Sequence, residues 1–219
     1  MPELNPHLAA PLSVFGAPPR DAAMAAILVH GRGQSPALMK EMVADRCGRS
    51  DIAWFAPAAA DGTWYPERFI EPLSRNEPQL SQALERLEVL SRELVTLGFP
   101  YESQVLIGFS QGACLCSEFV WRQDRRYGAL IAFTGGLIGP PQMPRQVVPA
   151  RLRTMPVLLS TCAQDPHVPL DSVQESARLF RTAGADVRLV VEPGCEHAIR
   201  DTELTFANIA MARCAPQAD

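Results

Sequence analysis

Six short stretches of this chain are apolar almost throughout: Ala22 to Val29, Asp51 to Phe55, Val105 to Ile107, Gly128 to Phe133, Pro156 to Cys162 and Val187 to Val191. Each reads as a strand, and the continuous runs Ala22 to Val29 and Gly128 to Phe133 read as strands buried on both faces. Segments with helical periodicity stand between them. Strands alternating with helices predict an α/β fold, a mainly parallel sheet flanked by helices. A seventh short strand is predicted at Leu12 to Phe15, within a proline-rich lead-in over residues 1–21 that is expected to pack along an edge.

The helices announce themselves by spacing. Ser35 followed by Pro36 supplies an N-cap and a proline at the first helical position, where its missing N–H costs nothing. Met39, Met42, Val43 and Cys47 would form the buried side of that helix. From Asn76 to Leu97, leucines at 80, 84, 87, 90, 94 and 97 recur at three- and four-residue intervals, and Asn76 with Gln79 has the spacing of a capping box. Gly98 stops this helix, and Glu88 with Arg92 forms an i,i+4 pair on its outer face. Asp171 and Gln174 repeat the capping spacing before a helix running to Gly184, and a closing helix is predicted over Asp201 to Arg213. The segment from Ala56 to Asn76 is rich in turn residues and carries Trp64, Tyr65 and Phe69.

Length and charge narrow the functional classes. At 219 residues the chain reads as a single domain over residues 1–219, without repeats or a long linker. Its 20 basic and 24 acidic side chains give a net charge of -4, with no run of more than two basic residues, which argues against nucleic acid as a partner. No apolar run is long enough to span a bilayer, the start Met1-Pro2-Glu3 lacks a signal-peptide pattern, and the expected location is the cytoplasm. The six cysteines have neither disulfide-framework nor zinc-site spacing, so free thiols and no metal are expected. Neither dinucleotide nor P-loop spacing occurs, and no cofactor is expected. A monomer and a homodimer are both compatible with this pattern.

The chemistry centres on Gly108-Phe109-Ser110-Gln111-Gly112, a G-x-S-x-G sequence that follows the run Val105 to Ile107 and opens a helix-compatible stretch. A serine on a sharp strand-to-helix turn presents its hydroxyl at the end of the sheet, and glycines on either side allow strand and helix to approach. A serine hydroxyl needs an imidazole to take its proton and a carboxylate to orient that imidazole. His197 and Asp165 follow the last two predicted strands, giving the order Ser110, Asp165, His197, that of the α/β-hydrolase triad. Asp171 is the rival acid. Backbone N–H groups of Gln111 and of the glycine-flanked Arg32 are the candidate oxyanion donors, and the Arg32 side chain is read as solvent-facing or as attracting an acidic or phosphate-bearing part of the substrate. His30 is read as fixing its loop. Trp64, Tyr65, Leu137, Ile138 and His167 are candidate walls of the substrate pocket.

With Leu28 to Gly33, Trp64-Tyr65-Pro66, Gly108 to Ala113, Asp165 to Pro169 and Gly194 to His197 in view, the chain resembles the phospholipase/carboxylesterase family of small α/β-hydrolases, which includes acyl-protein thioesterases. The resemblance covers residues 12 to 212. It implies a sheet of seven strands or slightly fewer, little or no cap domain, no metal, and action on carboxylic esters or thioesters by a catalytic serine. Arg32 and Ala113 depart from the family's usual residues, which bears on the substrate rather than on the fold. The expected substrate is a small or short-to-medium acyl ester; thioesters or lysophospholipids, or a non-catalytic binding role, are the alternatives.

Overall fold

The structure, a computed structural model, describes residues 4–146 and 152–214. The six apolar stretches become β2 (Met24–Val29), β3 (Ile52–Pro57), β4 (Gln104–Phe109), β5 (Ala129–Phe133), β6 (Pro156–Cys162) and β7 (Asp186–Glu192). Leu12–Gly16 forms β1. These strands make one seven-stranded sheet in the order β1-β3-β2-β4-β5-β6-β7, in which β1 pairs antiparallel with β3 and every other pairing is parallel.

Continuous hydrophobicity has the predicted consequence: every residue of β2 through β6 is buried. Successive residues feed opposite layers. Ala25, Ile27 and Val29 of β2 pack with the core on one face, beneath α4 (Gln79–Thr96), α5 (Gln111–Arg122) and α6 (Leu170–Thr182). Met24, Ala26 and Leu28 pack on the other face. That face is covered by α2 (Pro36–Met39), which runs through a π-helical turn (Lys40–Ala44) into α3 (Asp45–Cys47), and by α7 (Asp201–Ala212). A short α1 (Pro6–Ala9) lies against α4. The edge strand β7 has no such double cover, and its residues are half-buried or exposed.

Local expectations met different fates. The Ser35 hydroxyl does cap α2, accepting the Leu38 N–H at 3.2 Å. In α4, Leu80, Leu87, Leu90 and Leu94 are buried, while Leu97, beyond the last turn, is exposed. The predicted capping box at Asn76 does not form. Its carboxamide instead accepts the Glu67 N–H at 2.8 Å and donates to the Arg68 carbonyl at 3.3 Å, and α4 starts later, behind Pro78. The box at Asp171 is absent for a similar reason: α6 starts behind Pro169, so Asp171 lies inside the first turn, where its charge meets the positive end of the helix.

From β2 the chain crosses to β3 on one side and then to β4 on the other. The order therefore reverses between β2 and β4, leaving a crevice at their carboxyl ends, the place where open α/β sheets bind ligands.

Candidate active site

Ser110 stands at that crevice, between the end of β4 and the start of α5. Its backbone is held at φ 54°, ψ -118°, a conformation costly for a side-chain-bearing residue, with its N–H tied to the Phe133 carbonyl at 2.9 Å. The flanking glycines explain how the turn closes. A Cβ on Gly108 would lie 2.3 Å from the Gly112 carbonyl oxygen, and one on Gly112 would lie 2.2 Å from that of Val29. Strand β4, helix α5 and strand β2 thus meet backbone to backbone.

The loops after β6 and β7 bring their side chains to the same point. His197 Nε2 is 2.9 Å from Ser110 Oγ, and His197 Nδ1 is 2.8 Å from Asp165 Oδ2. The Asp165 side chain is fully buried, and its other oxygen accepts the main-chain N–H groups of His167 and Val168 at 2.8 and 2.9 Å. Burial pushes this carboxyl toward a higher pKa, but the hydrogen bonds from His197 and the two amides outweigh it, and the group is held below the usual carboxylate value. The His197 ring is braced by Phe109 on one side and by His167, edge-on, on another, each with ring centroids 5.0 Å away. Asp171 is on α6 and takes no part in this chain of contacts.

The Arg32 and Gln111 main-chain N–H groups have no hydrogen-bond acceptor among the described residues. Gln111 opens α5, so its N–H adds the positive end of a twelve-residue helix. Gly31 lies against Ser110: a Cβ there would be 3.3 Å from the serine Cβ. The Arg32 guanidinium is not free in solvent. It donates to the carbonyls of Tyr65, Pro66 and Glu67 at 3.0, 2.7 and 2.7 Å. His30 is buried and its pKa is lowered by that burial; its ring bridges the Gly31 carbonyl and the Ala59 N–H, which fixes the loop.

A cavity of about 440 Å³ opens over Ser110. Of the predicted walls, Tyr65 and His167 line it. Trp64, Leu137 and Ile138 are buried elsewhere. The Trp64 indole N–H donates to the His30 carbonyl at 2.9 Å, which turns the ring into the core between His7 and His30. The N–H groups of Leu137 and Ile138 bind the Ser176 hydroxyl and the buried Glu118 carboxylate, drawing both residues beneath the surface. Residues not anticipated as walls include Gln34, Arg68, Phe109, Cys114 and Val168. Cys114 was findable, since four residues after Ser110 it falls on the same helical face; its buried thiol is pushed up to about 12 and stays protonated. Among the described residues no cluster of three or more His, Cys, Asp or Glu side chains is placed to hold a metal, and no helix is long and apolar enough to cross a membrane.

A mostly parallel α/β sheet with a strained serine at its switch point, hydrogen-bonded to a histidine, defines a serine hydrolase of the α/β-hydrolase class. The chain belongs to the phospholipase/carboxylesterase family, whose sequence pattern matches residues 13–214. A phospholipase/carboxylesterase from Dyadobacter fermentans is similar in structure, with a TM-score of 0.84 and 35% identity over 93% of this chain and 96% of that one. An acyl-protein thioesterase 1 from Debaryomyces hansenii is 24% identical over 86% of this chain and 90% of its own. Esterase PE8 shares the fold at 23% identity, with a TM-score of 0.76 over 94% of this chain and 98% of that one. The protein is an enzyme with esterase- or thioesterase-type activity.

Proposed function

We propose that this enzyme hydrolyses small or short-to-medium acyl carboxylic esters through Ser110, His197 and Asp165. The observation that carries this reading is the unbroken relay from Ser110 Oγ through both ring nitrogens of His197 to Asp165. In the reading, Ser110 Oγ attacks the ester carbonyl while His197 Nε2 takes its proton. Asp165 holds Nδ1–H in place and stabilises the imidazolium. The N–H groups of Arg32 and Gln111 receive the charge that develops on the carbonyl oxygen. Collapse of the tetrahedral adduct breaks the bond to the leaving alkoxide, which takes the proton from His197. Water, deprotonated by the same nitrogen, then attacks the acyl-enzyme, and Ser110 recovers its proton as the carboxylic acid leaves.

The size and walls of the cavity favour a short acyl group. Phe69, Phe109 and Val168 give it apolar surface, and its volume lies toward the lower end of the ~300 to 1,000 Å³ usual for small-molecule sites. A thioester substrate is the second reading, favoured by the likeness to a protein named as an acyl-protein thioesterase. We read the chain as a single domain acting in the cytoplasm, where its six free cysteines would remain reduced.

A fluorophosphonate probe tests the reading. Wild-type protein should be labelled once per chain at Ser110, and Ser110→Ala should not be labelled. Equal labelling of both, or of neither, excludes it. A ladder of p-nitrophenyl esters beside matched acyl thioesters then separates the two substrate classes.

A further inference from the structure

We infer that the side chains of Arg32 and Gln111 are positioning residues that hold their own main-chain N–H groups in register, and that they do so jointly through the carbonyl oxygen of Tyr65. The inference rests on the hydrolytic reading above, in which those two N–H groups meet the oxyanion.

The Tyr65 carbonyl accepts Gln111 Nε2 at 2.7 Å, Arg32 Nη2 at 3.0 Å and the Thr63 hydroxyl at 3.1 Å. Two residues from different strand ends, one after β2 and one after β4, thus converge on a single oxygen. Each is also tied to its neighbours. Gln111 Oε1 accepts the Trp64 N–H at 3.0 Å, so the carboxamide grips main-chain groups of two adjacent residues and cannot rotate. Arg32 reaches on to the carbonyls of Pro66 and Glu67, and its planar fork holds three carbonyls in one arrangement. The segment from Thr63 to Glu67 therefore acts as a splint between the two donors.

Arg32 needs such a splint. It lies between Gly31 and Gly33, the latter at φ 68°, in a loop whose backbone has little intrinsic stiffness. An oxyanion hole works only where both donors are aimed at the charge before it forms. The competing role for the guanidinium, clamping an anionic group of the substrate, does not suit the geometry. Three of its five N–H groups are already committed to carbonyls, including both on Nη2. The Nε–H and the remaining Nη1–H do not form an adjacent pair, so no two-pronged grip on a carboxylate or phosphate is left.

The test uses Arg32→Met, Gln111→Met, the double variant and Arg32→Lys, assayed on the neutral ester p-nitrophenyl butyrate and with an alkyl trifluoromethyl ketone. Serine adds to that ketone as a hemiketal, its proton passing to His197, and the ketone oxygen becomes an oxyanion. Loss of positioning should lower kcat by roughly tenfold to a hundredfold with KM within about twofold, since small misplacements are felt mainly in the transition state. Ketone affinity should weaken by the same factor as kcat/KM, Arg32→Lys should fall between, and the double variant should be little worse than the poorer single one. A raised KM with kcat intact, full multiplication of the two losses, or a greater loss on a carboxylate-bearing ester than on the neutral one would each overturn the inference. Arg32 is exposed, so Arg32→Met removes no core packing and decides the matter even where Gln111→Met does not fold. Fluorophosphonate labelling of wild type separates the two levels: labelled wild type with undiminished Arg32→Met kcat sinks only this inference, whereas unlabelled wild type sinks the hydrolytic reading and this inference with it.

Discussion

Gly112 and Val29 meet so closely that the hydrogen on the glycine Cα occupies the only space available: a methyl group there would stand 2.2 Å from the valine carbonyl oxygen and 2.6 Å from that of His30. The contact joins the helix behind the serine to the strand that leads to the Arg32 loop. It sets the spacing of the site before any side chain is considered.

Gly112→Ala is accordingly expected to cost about 3 kcal/mol of stability, the upper end of the usual overpacking range, because the obstructing atoms are backbone and cannot rotate away. Chemical denaturation would measure it. Ester hydrolysis should fall further than the folded fraction does, since relief of the clash moves α5 away from β2. A variant with wild-type stability and turnover would contradict so close an approach of the two backbones.

Asp165→Asn should leave the fold intact and lower kcat by roughly 10⁴, the effect expected when a histidine loses the acceptor that sets its tautomer. Stability should carry a pH signature. The folded-state pKa of Asp165 lies below its ordinary value, so the stabilisation it gives is fully present above the unfolded-state pKa and is lost as pH falls through the lowered one. The gap in melting temperature between wild type and Asp165→Asn should therefore be widest near neutrality and close in acid. A gap independent of pH would contradict the assignment.

Glu118 and Arg145 form an ion pair at 3.0 Å with their side chains 2% and 7% exposed. Arg145 also donates to the Ile138 carbonyl, while Glu118 accepts the Ile138 N–H, so the pair clamps the loop after β5. Arg145→Met leaves a buried carboxylate with Arg122 as its remaining charged partner. The expected loss is about 3 kcal/mol, at the low end for breaking such a pair, and Glu118→Gln added to it should restore part. An unchanged denaturation midpoint for Arg145→Met would refute this.

Glu203 presents the opposite sign. Its side chain is buried; one oxygen accepts the Arg200 N–H at 2.6 Å, and the buried Ser160 hydroxyl also faces the carboxylate. Burial raises its pKa despite the Ser160 hydroxyl and the Arg200 N–H, so ionisation opposes folding once the pH exceeds the unfolded-state value. Glu203→Gln should raise the melting temperature by a few degrees at neutral pH, and the gain should shrink as the pH falls and the wild-type carboxyl takes up its proton. A gain that grows in acid would be inconsistent with this reading.

Much of the scaffold was legible because its signals are local. A continuous apolar run marks a strand, and β2 to β6 are buried end to end, while β7, whose run is interrupted by Arg188, lies at the sheet edge and is only partly covered. The leucine spacing of α4 likewise marks its inner face. Both capping boxes misled, because a cap is a competition for hydrogen-bond partners. Asn76 found better ones in the 67–68 loop, and Pro78 and Pro169 stand at the helix boundaries instead. The walls of the cavity were less legible still: of the adjacent Trp64 and Tyr65, the first turns its indole N–H to the His30 carbonyl inside the core and only the second lines the cavity.

By itself, then, the sequence determined the strand-and-helix alternation, the strained turn at Ser110 and the order in which a serine, an acid and a histidine each follow the end of a strand, all readable from residue types along the chain. Only the tertiary structure decided that Asp165, His197 and Ser110 meet within hydrogen-bond distance, that Leu137 and Ile138 lie beneath the surface, and that the Arg32 guanidinium serves three carbonyls of a remote loop. Those outcomes depend on which polar groups separated in sequence find one another when the sheet closes. A buried donor or acceptor takes the partner that the fold brings to it, and spacing along the chain does not encode that choice.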